Sequence, residues 1–251
     1  MLRIIQPGAA EEVAFISAPR DWLLFWAVIL TCKGILFDLD GVLIDSTPAV
    51  ARVWARWAIT HGISPDLAIA QAHGRRSIET IRTIAPHLNA EKENVWVEQM
   101  EIEDSDGVIA LPGAARLLAS LPQDRFAIVT SATARLARAR LGYAGLPLPQ
   151  NLVTAGDVTQ GKPSPEPYLR GAELLRLEGR DCVVFEDAPA GIVSAYSAGM
   201  QVVAIPTTYP VAKLSGANEI VPSLQDVQIQ VLEDSLRLSF DSATSPEYPG
   251  R

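Results

Sequence analysis

The sequence contains few cysteines and few basic residues. Its 251 residues include two cysteines, Cys32 and Cys182, each beside an apolar, strand-like run. This usage is typical of a reducing compartment, so we expect two reduced core thiols and neither a disulfide nor a metal pair. Lysine and arginine number 21 against 29 aspartates and glutamates, a net charge of −8. Nucleic-acid binding is therefore not expected, since a duplex-binding surface needs a concentrated basic patch.

The sequence also lacks an apolar run long enough to cross a membrane. The longest, WLLFWAVIL at 22–30, has nine residues, whereas a spanning helix needs about 20. A basic leader and a small-residue cleavage site, which mark a secretory signal, are missing around it. We therefore expect a cytoplasmic protein with no membrane partner. Residues 1–30 are expected to form an N-terminal extension outside the core, so a chain starting near Val28 should fold and keep its turnover number.

Apolar residues make up 48% of the chain, which is enough for a sizeable core. Apolar, β-branched runs alternate with helix-like stretches such as GAARLLASL, ARLARARLG, PYLRGAELLRL and AGIVSAYSAG. Continuous apolar strands that alternate with helices are typical of a parallel sheet covered on both faces. The predicted fold class is therefore α/β, with a doubly wound parallel sheet. The predicted strands are GILFDL (34–39), FAIVTS (126–131), NLVTAG (151–156), CVVFED (182–187) and QVVAIP (201–206).

One interval interrupts this alternation. From residue 47 to about 111 the sequence shows several helical segments and no convincing strand. The first segment has Thr47 as its expected N-cap and Pro48 at its first helical position. Trp54 and Trp57 lie three residues apart in it, a spacing that indicates packing inside the domain. We predict a helical cap at 47–111, inserted into a core made of 31–46 and 112–241, and a disordered tail at 242–251.

Polar side chains follow the predicted strands. Ligands of parallel α/β sheets bind beyond the carboxyl ends of the strands, so the residues at those ends are the candidates for a site. An acidic pair at one strand end is usually a helix cap or a solvated turn, but four polar strand ends in this order are a strong signal. The four groups are Asp38 with Asp40, the stretch 130–133 (TSAT), Lys162 between Gly161 and Pro163, and Glu186 with Asp187.

These residue types together predict phosphoryl transfer. Clustered carboxylates repel one another, and sharing a hard cation relieves that cost. Oxygen ligands suit Mg²⁺, which is the expected cofactor. The ion then meets a phosphate that Lys162 and the Ser131 region also neutralise. One carboxylate can attack as a nucleophile, and a second can protonate the leaving alcohol and later activate water. Gly41 allows the sharp turn that holds Asp38 and Asp40 in one site.

Four stretches resemble the four ordered motifs of the haloacid dehalogenase-like phosphohydrolases: FDLDGVLIDS, IVTSAT, GKPSPEPY and VVFEDAPAGI. The resemblance runs from about residue 33 to about residue 222. The inserted helical segment resembles the cap of the phosphoglycolate phosphatase and β-phosphoglucomutase branch. AHGRRSIETIRTIAP, ARARLGYAGLPLP and VTQGKPSPEPYLRGAELL are similar to bacterial sugar phosphatases and to yeast-type glycerol-phosphate and deoxyglucose-phosphate phosphatases.

The resemblance implies a role for each motif residue. It assigns Asp38 as nucleophile and metal ligand, and Asp40 as general acid/base whose backbone carbonyl binds the metal. Ser131 and the N–H of Ala132 would bind the transferring phosphoryl group, which Lys162 would neutralise. The metal site would be completed by Asp187, with Glu186 as a supporting carboxylate or an alternative ligand.

The resemblance also places a substrate-contacting loop at AHGRRS (72–77). Gly74 offers a small turn there, and the neighbouring side chains offer donors for sugar or polyol hydroxyls. A run of two arginines is usually a solvated face, but in this loop we favour a substrate-binding role for Arg76 and, less strongly, for His73 and Arg75. The implied substrate is a small phosphorylated sugar or polyol, and we expect a monomer or weak homodimer. On this hypothesis, Arg76→Ala should impair sugar and polyol esters much more than para-nitrophenyl phosphate.

Three alternatives share parts of this pattern. The β-phosphoglucomutase branch typically carries a histidine ten positions after the acid/base aspartate. This sequence has Val50 there, which makes a mutase less favoured than a phosphatase without excluding it. A dehalogenase would need neither a metal nor Asp40. A non-catalytic module that binds Mg²⁺ or phosphate would keep the fold without turnover. Assaying para-nitrophenyl phosphate with and without Mg²⁺ separates such a module from an enzyme.

Overall fold

The computed structural model describes residues 27–241, so the expectations for 1–26 and 242–251 lie outside the described residues. The strands are β1 (Ala27–Cys32), β2 (Gly34–Phe37), β3 (Ile44–Asp45), β4 (Ile109–Ala110), β5 (Phe126–Val129), β6 (Leu152–Val153), β7 (Cys182–Glu186), β8 (Gln201–Ala204), β9 (Glu219–Ile220), β10 (Gln228–Val231) and β11 (Leu236–Asp241). The helices are α1 (Thr47–Thr60), α2 (Pro65–Ala72), α3 (Ser77–Ile84), α4 (Ala90–Glu103), α5 (Ala114–Ser120), α6 (Ala134–Tyr143), α7 (Glu166–Leu175) and α8 (Pro189–Ser197).

A six-stranded sheet forms the centre of the core, in the order β6-β5-β2-β7-β8-β9. Every neighbouring pair in it is parallel. The predicted α/β class is confirmed, and the five predicted strands are β2 and β5 to β8. The strand that ends at Asp38 lies between the strands that lead to Ser131 and to Asp187. The sheet order therefore brings the motif residues to one edge.

Both faces of this sheet are covered, as its apolar strands predict. Ile35 and Phe37 of β2 belong to an apolar cluster that includes residues of α5 and α6. Leu36, which points to the opposite face, belongs to a second cluster that includes α7 and α8. All residues of β2, β5 and β7 are buried. Two-sided burial explains why these strands show no polar alternation.

A second, antiparallel sheet has the order β1-β11-β10 and was not predicted. β1 pairs with β11 along its whole length, from Ala27 opposite Asp241 to Cys32 opposite Leu236. The buried side chains of Leu238 and Phe240 join the core cluster next to α5. The domain boundary expected at residue 30 therefore falls inside a strand, and the core begins by Ala27. Both cysteines are buried, free thiols, as expected.

The inserted segment contains the four helices α1 to α4 around its own apolar cluster. Trp54 and Trp57 are each 1% exposed and meet edge to face, with ring centroids 5.4 Å apart. The helix start differs from the prediction. Ser46 is the N-cap and Thr47 is the first helical residue. The Ser46 hydroxyl does not cap the helix, because it donates to Asp40 at 2.7 Å.

The insert is joined to the core by a short antiparallel ribbon. β3 precedes α1, β4 follows α4, and Ile44 lies opposite Ala110. The interval expected to be wholly helical thus contains β4, a strand of two residues. Within residues 27–241, no helix combines the length and apolar character that a membrane crossing requires.

Candidate active site

Asp38 follows β2 directly and is 4% exposed. Its backbone N–H donates to the Phe185 carbonyl at 3.0 Å, which fixes the end of β2 against β7. Gly41 makes the turn that follows, with φ +84°. A Cβ at this position would lie 1.9 Å from Asp187 Oδ2, so only glycine lets the turn approach that carboxylate. The requirement for Gly41 is thus both conformational and steric.

Asp38, Glu186 and Asp187 form a buried carboxylate cluster in which one oxygen of each lies within 4.8 Å of the others. Both oxygens of Glu186 are already used. Oε1 accepts from Lys162 Nζ at 2.7 Å and from Tyr168 OH at 2.8 Å. Oε2 accepts from the backbone N–H groups of Asp187 and Ala188 at 2.9 and 3.0 Å. Glu186 is therefore built as a support for the cluster, whereas Asp38 and Asp187 keep free acceptor capacity.

Lys162 is the cation inside this cluster, and it is 1% exposed. Its Nζ lies 2.8 Å from Asp38 Oδ1 and donates to the Val129 carbonyl at 3.3 Å. Burial alone would lower the pKa of this ammonium, but the carboxylates of Asp38 and Glu186 outweigh it and raise the pKa. Lys162 is therefore charged. One buried cation among three buried carboxylates leaves the cluster with excess negative charge.

That excess appears in the pKa values of the carboxyl groups. Burial, opposed in part by Lys162, raises the pKa of Asp38 from 3.8 to about 7. Burial and the neighbouring Glu186 raise the pKa of Asp187 well above its ordinary value. Within residues 27–241, Asp187 Oδ1 is buried without a hydrogen-bond partner. An unpaired oxygen, hard donor atoms and uncompensated negative charge are the features that a divalent cation such as Mg²⁺ would satisfy.

Asp40 points away from this cluster. Its Oδ1 accepts from Ser46 and its Oδ2 pairs with Arg140 Nη1 at 2.8 Å. The Asp40 side chain is therefore not one of the clustered oxygens. The predicted ligand set of Asp38, Asp40, Glu186 and Asp187 includes Asp40 only through its backbone carbonyl. The Asp40 carboxylate faces a cavity between the cap and the core, which is where an acid/base group would meet a leaving group.

Ser131 and Ala132 lie on the same cavity as Asp38, at the start of the turn between β5 and α6. The Ala132 N–H donates to Thr130 Oγ1 at 3.1 Å, and the Ser131 hydroxyl donates to the Gly74 carbonyl at 3.4 Å. Ser131 thus contacts the cap loop and lines the same cavity as Asp38. The predicted phosphoryl-binding residues and the predicted nucleophile therefore share one cavity.

The cavity between cap and core has a volume of about 50 Å³. Its floor is formed by the core residues Asp38, Asp40, Thr130, Ser131 and Ala132. The cap loop contributes His73, Gly74 and Arg75. Burial lowers the pKa of His73, so this side chain is neutral at pH 7. Among the described residues that line the cavity, Arg75 is present and Arg76 is not.

Arg76 instead braces the cap against the loop that carries Lys162. Its Nη1 donates to the Thr159 carbonyl at 3.0 Å and pairs with Glu79 at 3.3 Å. A Cβ on Gly161 would lie 2.5 Å from Arg76 Cδ, so the glycine makes room for this contact. The prediction that Arg76 faces the substrate is not supported by its position. The sequence could not place its side chain, because adjacent arginines on a loop point in different directions.

Sequence reasoning missed two buried charged residues on the cavity wall. Arg140, on α6, is 5% exposed, and Glu101, on α4 of the cap, is also 5% exposed. Arg140 Nη2 pairs with Glu101 Oε2 at 3.2 Å, in addition to the Arg140–Asp40 pair. The only sequence signal was a charged residue within each helical stretch, which is common on solvated helix faces.

Comparison with known proteins agrees with this geometry. Residues 32–199 match the family model described as haloacid dehalogenase-like hydrolase. Hexitol phosphatase A of Escherichia coli K12 is 42% identical over 209 residues, covering 80% of this chain and 95% of the relative. Glycerol-1-phosphate phosphohydrolase 2 of Saccharomyces cerevisiae is 34% identical over 214 residues, covering 80% and 86%.

A solved structure with the same architecture is β-phosphoglucomutase from Clostridium difficile. It is 25% identical, has a TM-score of 0.66, and is matched over 78% of this chain and 93% of its own. The family match extends from the end of β1 to the end of α8 and so includes Asp38, Ser131, Lys162 and Asp187. On this basis the chain belongs to the family of haloacid dehalogenase-like hydrolases.

Proposed function

We propose that this protein is a Mg²⁺-dependent phosphatase that hydrolyses small phosphorylated sugars or polyols through an aspartyl-phosphate on Asp38. The observation that carries the proposal is the buried cluster in which Lys162 Nζ lies 2.8 Å from Asp38 Oδ1, beside Asp187 with its unpaired oxygen. Phosphatases of hexitol and glycerol phosphates among the relatives support the same substrate class.

The Asp38 carboxylate is the attacking group. One of its oxygens forms a bond to phosphorus while the bond from phosphorus to the ester oxygen breaks. Lys162, charged and buried, neutralises the phosphoryl oxygens. Ser131 and Ala132 line the same cavity, and the Ser131 hydroxyl and Ala132 N–H would donate to these oxygens in place of their present contacts with Gly74 and Thr130.

Asp40 donates and accepts the protons of the reaction. In its acid form it gives a proton to the ester oxygen of the departing alcohol. As a base it then takes a proton from the water that attacks the aspartyl-phosphate, which releases inorganic phosphate and restores the Asp38 carboxylate. Ser46 and Arg140 hold the two Asp40 oxygens at the cavity, 2.7 and 2.8 Å away.

Asp38 and Asp187 would hold the Mg²⁺ ion, together with the Asp40 carbonyl, while Glu186 supports Asp187. When bound, the ion would offset the charge of the carboxylates and of the phosphoryl group. The fit rests on the hard oxygen donors and on the buried Asp187 Oδ1, which finds no partner in residues 27–241.

A mutase remains the second candidate, because a β-phosphoglucomutase has the same architecture. Val50 favours the phosphatase. It lines the cavity at the position where the mutase branch typically carries histidine, and an aliphatic side chain can neither donate nor accept a proton. A phosphatase needs only water to remove the phosphoryl group from Asp38, so Val50 is compatible with hydrolysis.

The deciding experiment measures release of inorganic phosphate from para-nitrophenyl phosphate with Mg²⁺ and with excess chelator. A panel of hexitol, glycerol and sugar phosphates, together with the sugar 1-phosphates that a mutase would isomerise, then identifies the substrate class. We expect Mg²⁺-dependent phosphate release, with polyol and sugar esters preferred. Isomerised sugar phosphate without net phosphate release would instead establish the mutase, and no turnover of any ester would indicate a binding module.

A further inference from the structure

A buried ion pair crosses from the cap to the core beside the reacting groups. Glu101 Oε2 of the cap lies 3.2 Å from Arg140 Nη2 of the core, and both side chains line the cavity that contains Asp38. Their side chains are 4% and 6% exposed. Burying an ion pair contributes little to stability on its own, because desolvation offsets the attraction. A buried pair on a cavity wall therefore indicates a function in ligand binding rather than in stability.

Glu101 has acceptor capacity to spare. Its Oε1 accepts from Trp54 Nε1 at 3.2 Å, and its Oε2 pairs with Arg140. A carboxylate offers about four lone-pair positions, so about two remain. The contacts with Trp54 and Arg140 involve different oxygens and fix the carboxylate at the wall of the cavity. The side chain is therefore already ordered before a ligand binds.

The other carboxylates that line the cavity have other proposed roles. Asp38 is the proposed nucleophile and contacts Lys162. Asp40 is the proposed acid/base group, and Ser46 and Arg140 hold its oxygens. Glu101 is thus the carboxylate that the cap offers to a leaving group. Arg75 and Arg140 on the same cavity are donors only, and a hydroxyl group needs both kinds of partner.

We propose that Glu101, held in place by Trp54 and Arg140, is the residue that selects the leaving group, by accepting a hydrogen bond from one of its hydroxyls. This inference rests on the proposed phosphatase function and assigns its specificity to the body of the cap rather than to Arg76. The cavity of about 50 Å³ admits roughly three to five water-sized groups. A short polyol phosphate carries such a hydroxyl on the carbon next to the phosphorylated one.

The test compares two esters that differ only in hydroxyls, glycerol 1-phosphate and n-propyl phosphate, in the full-length enzyme with Mg²⁺. We expect the wild type to prefer the glycerol ester in kcat/KM. Glu101→Gln keeps an acceptor for Trp54 but removes the charge, so this preference should fall by about 10-fold. Glu101→Ala should reduce it further, by up to about 100-fold, the range for a lost hydrogen bond to a charged group. Turnover of para-nitrophenyl phosphate should change much less.

Glu93→Gln is the matched control. Glu93 lies on the same helix, accepts the indole N–H of Trp57 at 2.9 Å and pairs with His61, but it is not part of the cavity wall. This variant should keep the preference of the wild type. Glu101→Asp, which retains the charge with a shorter reach, should also reduce the preference, and it carries the test if the other Glu101 variants do not fold.

Two results would overturn the inference while leaving the phosphatase function intact. One is a wild type that hydrolyses para-nitrophenyl phosphate but treats glycerol 1-phosphate and n-propyl phosphate alike. The other is an equal loss on all three esters in the folded Glu101 variants, which would make Glu101 a brace between cap and core. A wild type inactive on every ester would instead overturn the proposed function itself.

Discussion

Lys162 Nζ lies 2.8 Å from Asp38 Oδ1, and both side chains are almost completely buried. The lysine reaches the carboxylate from the loop that follows β6, on the far side of β5 from β2. Its positive charge offsets the negative charge of the buried Asp38 carboxylate. The same ammonium is positioned to neutralise a phosphoryl group bound beside Asp38. The contact therefore joins the proposed nucleophile to the cation that would offset the charge of a phosphoryl group.

The first prediction concerns Asp38. Asp38→Asn should lower turnover of para-nitrophenyl phosphate by at least about 1,000-fold, because an amide is a poor nucleophile. Asp181→Asn is the control, since Asp181 precedes β7 at the opposite edge of the same sheet and pairs with Lys33, 3.2 Å away. Activity should be measured together with the melting temperature. Substantial turnover in a folded Asp38→Asn enzyme would contradict the covalent mechanism.

The second prediction concerns the metal. Excess chelator should abolish turnover, Mg²⁺ should restore it, and Ca²⁺ should support little because its looser coordination disturbs the in-line geometry. Thermal unfolding gives a readout independent of activity. Mg²⁺ should raise the melting temperature of the wild type, since the ion binds the folded state. Asp187→Asn should lose most of that gain, and full activity in chelator would rule out a metal-dependent mechanism.

The third prediction is the pH dependence of that stabilisation. Without metal, burial raises the pKa of Asp38 to about 7 from 3.8. Between about pH 4 and pH 7 the folded protein therefore holds a proton that the unfolded chain has lost. Its stability should decline as the pH rises through 7. The ion competes with this proton, so Mg²⁺ should raise the melting temperature more at pH 8 than at pH 5.

The Asp38→Asn enzyme provides the control for this measurement. With no proton to displace at residue 38, its response to Mg²⁺ should be smaller and less dependent on pH. Equal gains at pH 5 and pH 8 in the wild type would show that Asp38 does not hold the proton. The difference between the curves with and without Mg²⁺ is the quantity to compare, because groups outside the carboxylate cluster titrate equally in both.

The fourth prediction concerns Arg76. Since its guanidinium contacts the Thr159 carbonyl and Glu79 and does not face the cavity, Arg76→Ala should reduce kcat/KM for polyol esters and for para-nitrophenyl phosphate to a similar degree. We expect a loss of about 3- to 30-fold, from weaker docking of the cap on the Lys162 loop. Arg82→Ala is the control, because Arg82 pairs with Glu91 at the surface of the cap. A loss confined to polyol esters would restore the original recognition hypothesis.

The fifth prediction concerns the start of the chain. A protein that begins at Val28 keeps almost all of β1 and should fold with an unchanged turnover number. A protein that begins at Lys33 lacks β1 and leaves β11 unpaired along the edge where Ala27–Cys32 lay. That protein should be less stable and prone to aggregation. Equal melting temperatures for the two shortened proteins would show that β1 contributes nothing to the core.

Local sequence patterns predicted the centre of the molecule. An apolar run followed by Asp38, or by Glu186 and Asp187, specifies both a buried strand and the residues at its end. The parallel sheet then brings the strand ends together. β1 was missed because its partner β11 lies about 200 positions away along the chain, and a two-sided apolar stretch at the start of a chain resembles an extension.

The cavity wall was harder to predict for a related reason. Glu101 and Arg140 lie on helices whose other charged residues are exposed or only partly buried, and only packing of the cap against α6 distinguishes the buried pair. Arg76 lies outside the wall of this cavity, which the sequence could not show because the motif locates the loop but not the direction of each side chain. The loop does reach the cavity, through His73, Gly74 and Arg75.

The ribbon of β3 and β4 has a consequence for how such an enzyme acquires new substrates. Because Ile44 lies opposite Ala110, the chain enters and leaves the cap one strand spacing apart, about 4.8 Å. A helical segment with adjacent ends can be exchanged as a single graft, without altering the order of the core strands. Arg140 restricts which grafts succeed. A new cap needs an acidic residue where Glu101 stands, or the buried guanidinium would keep Asp40 as its ion-pair partner and lose the one that the cap supplies.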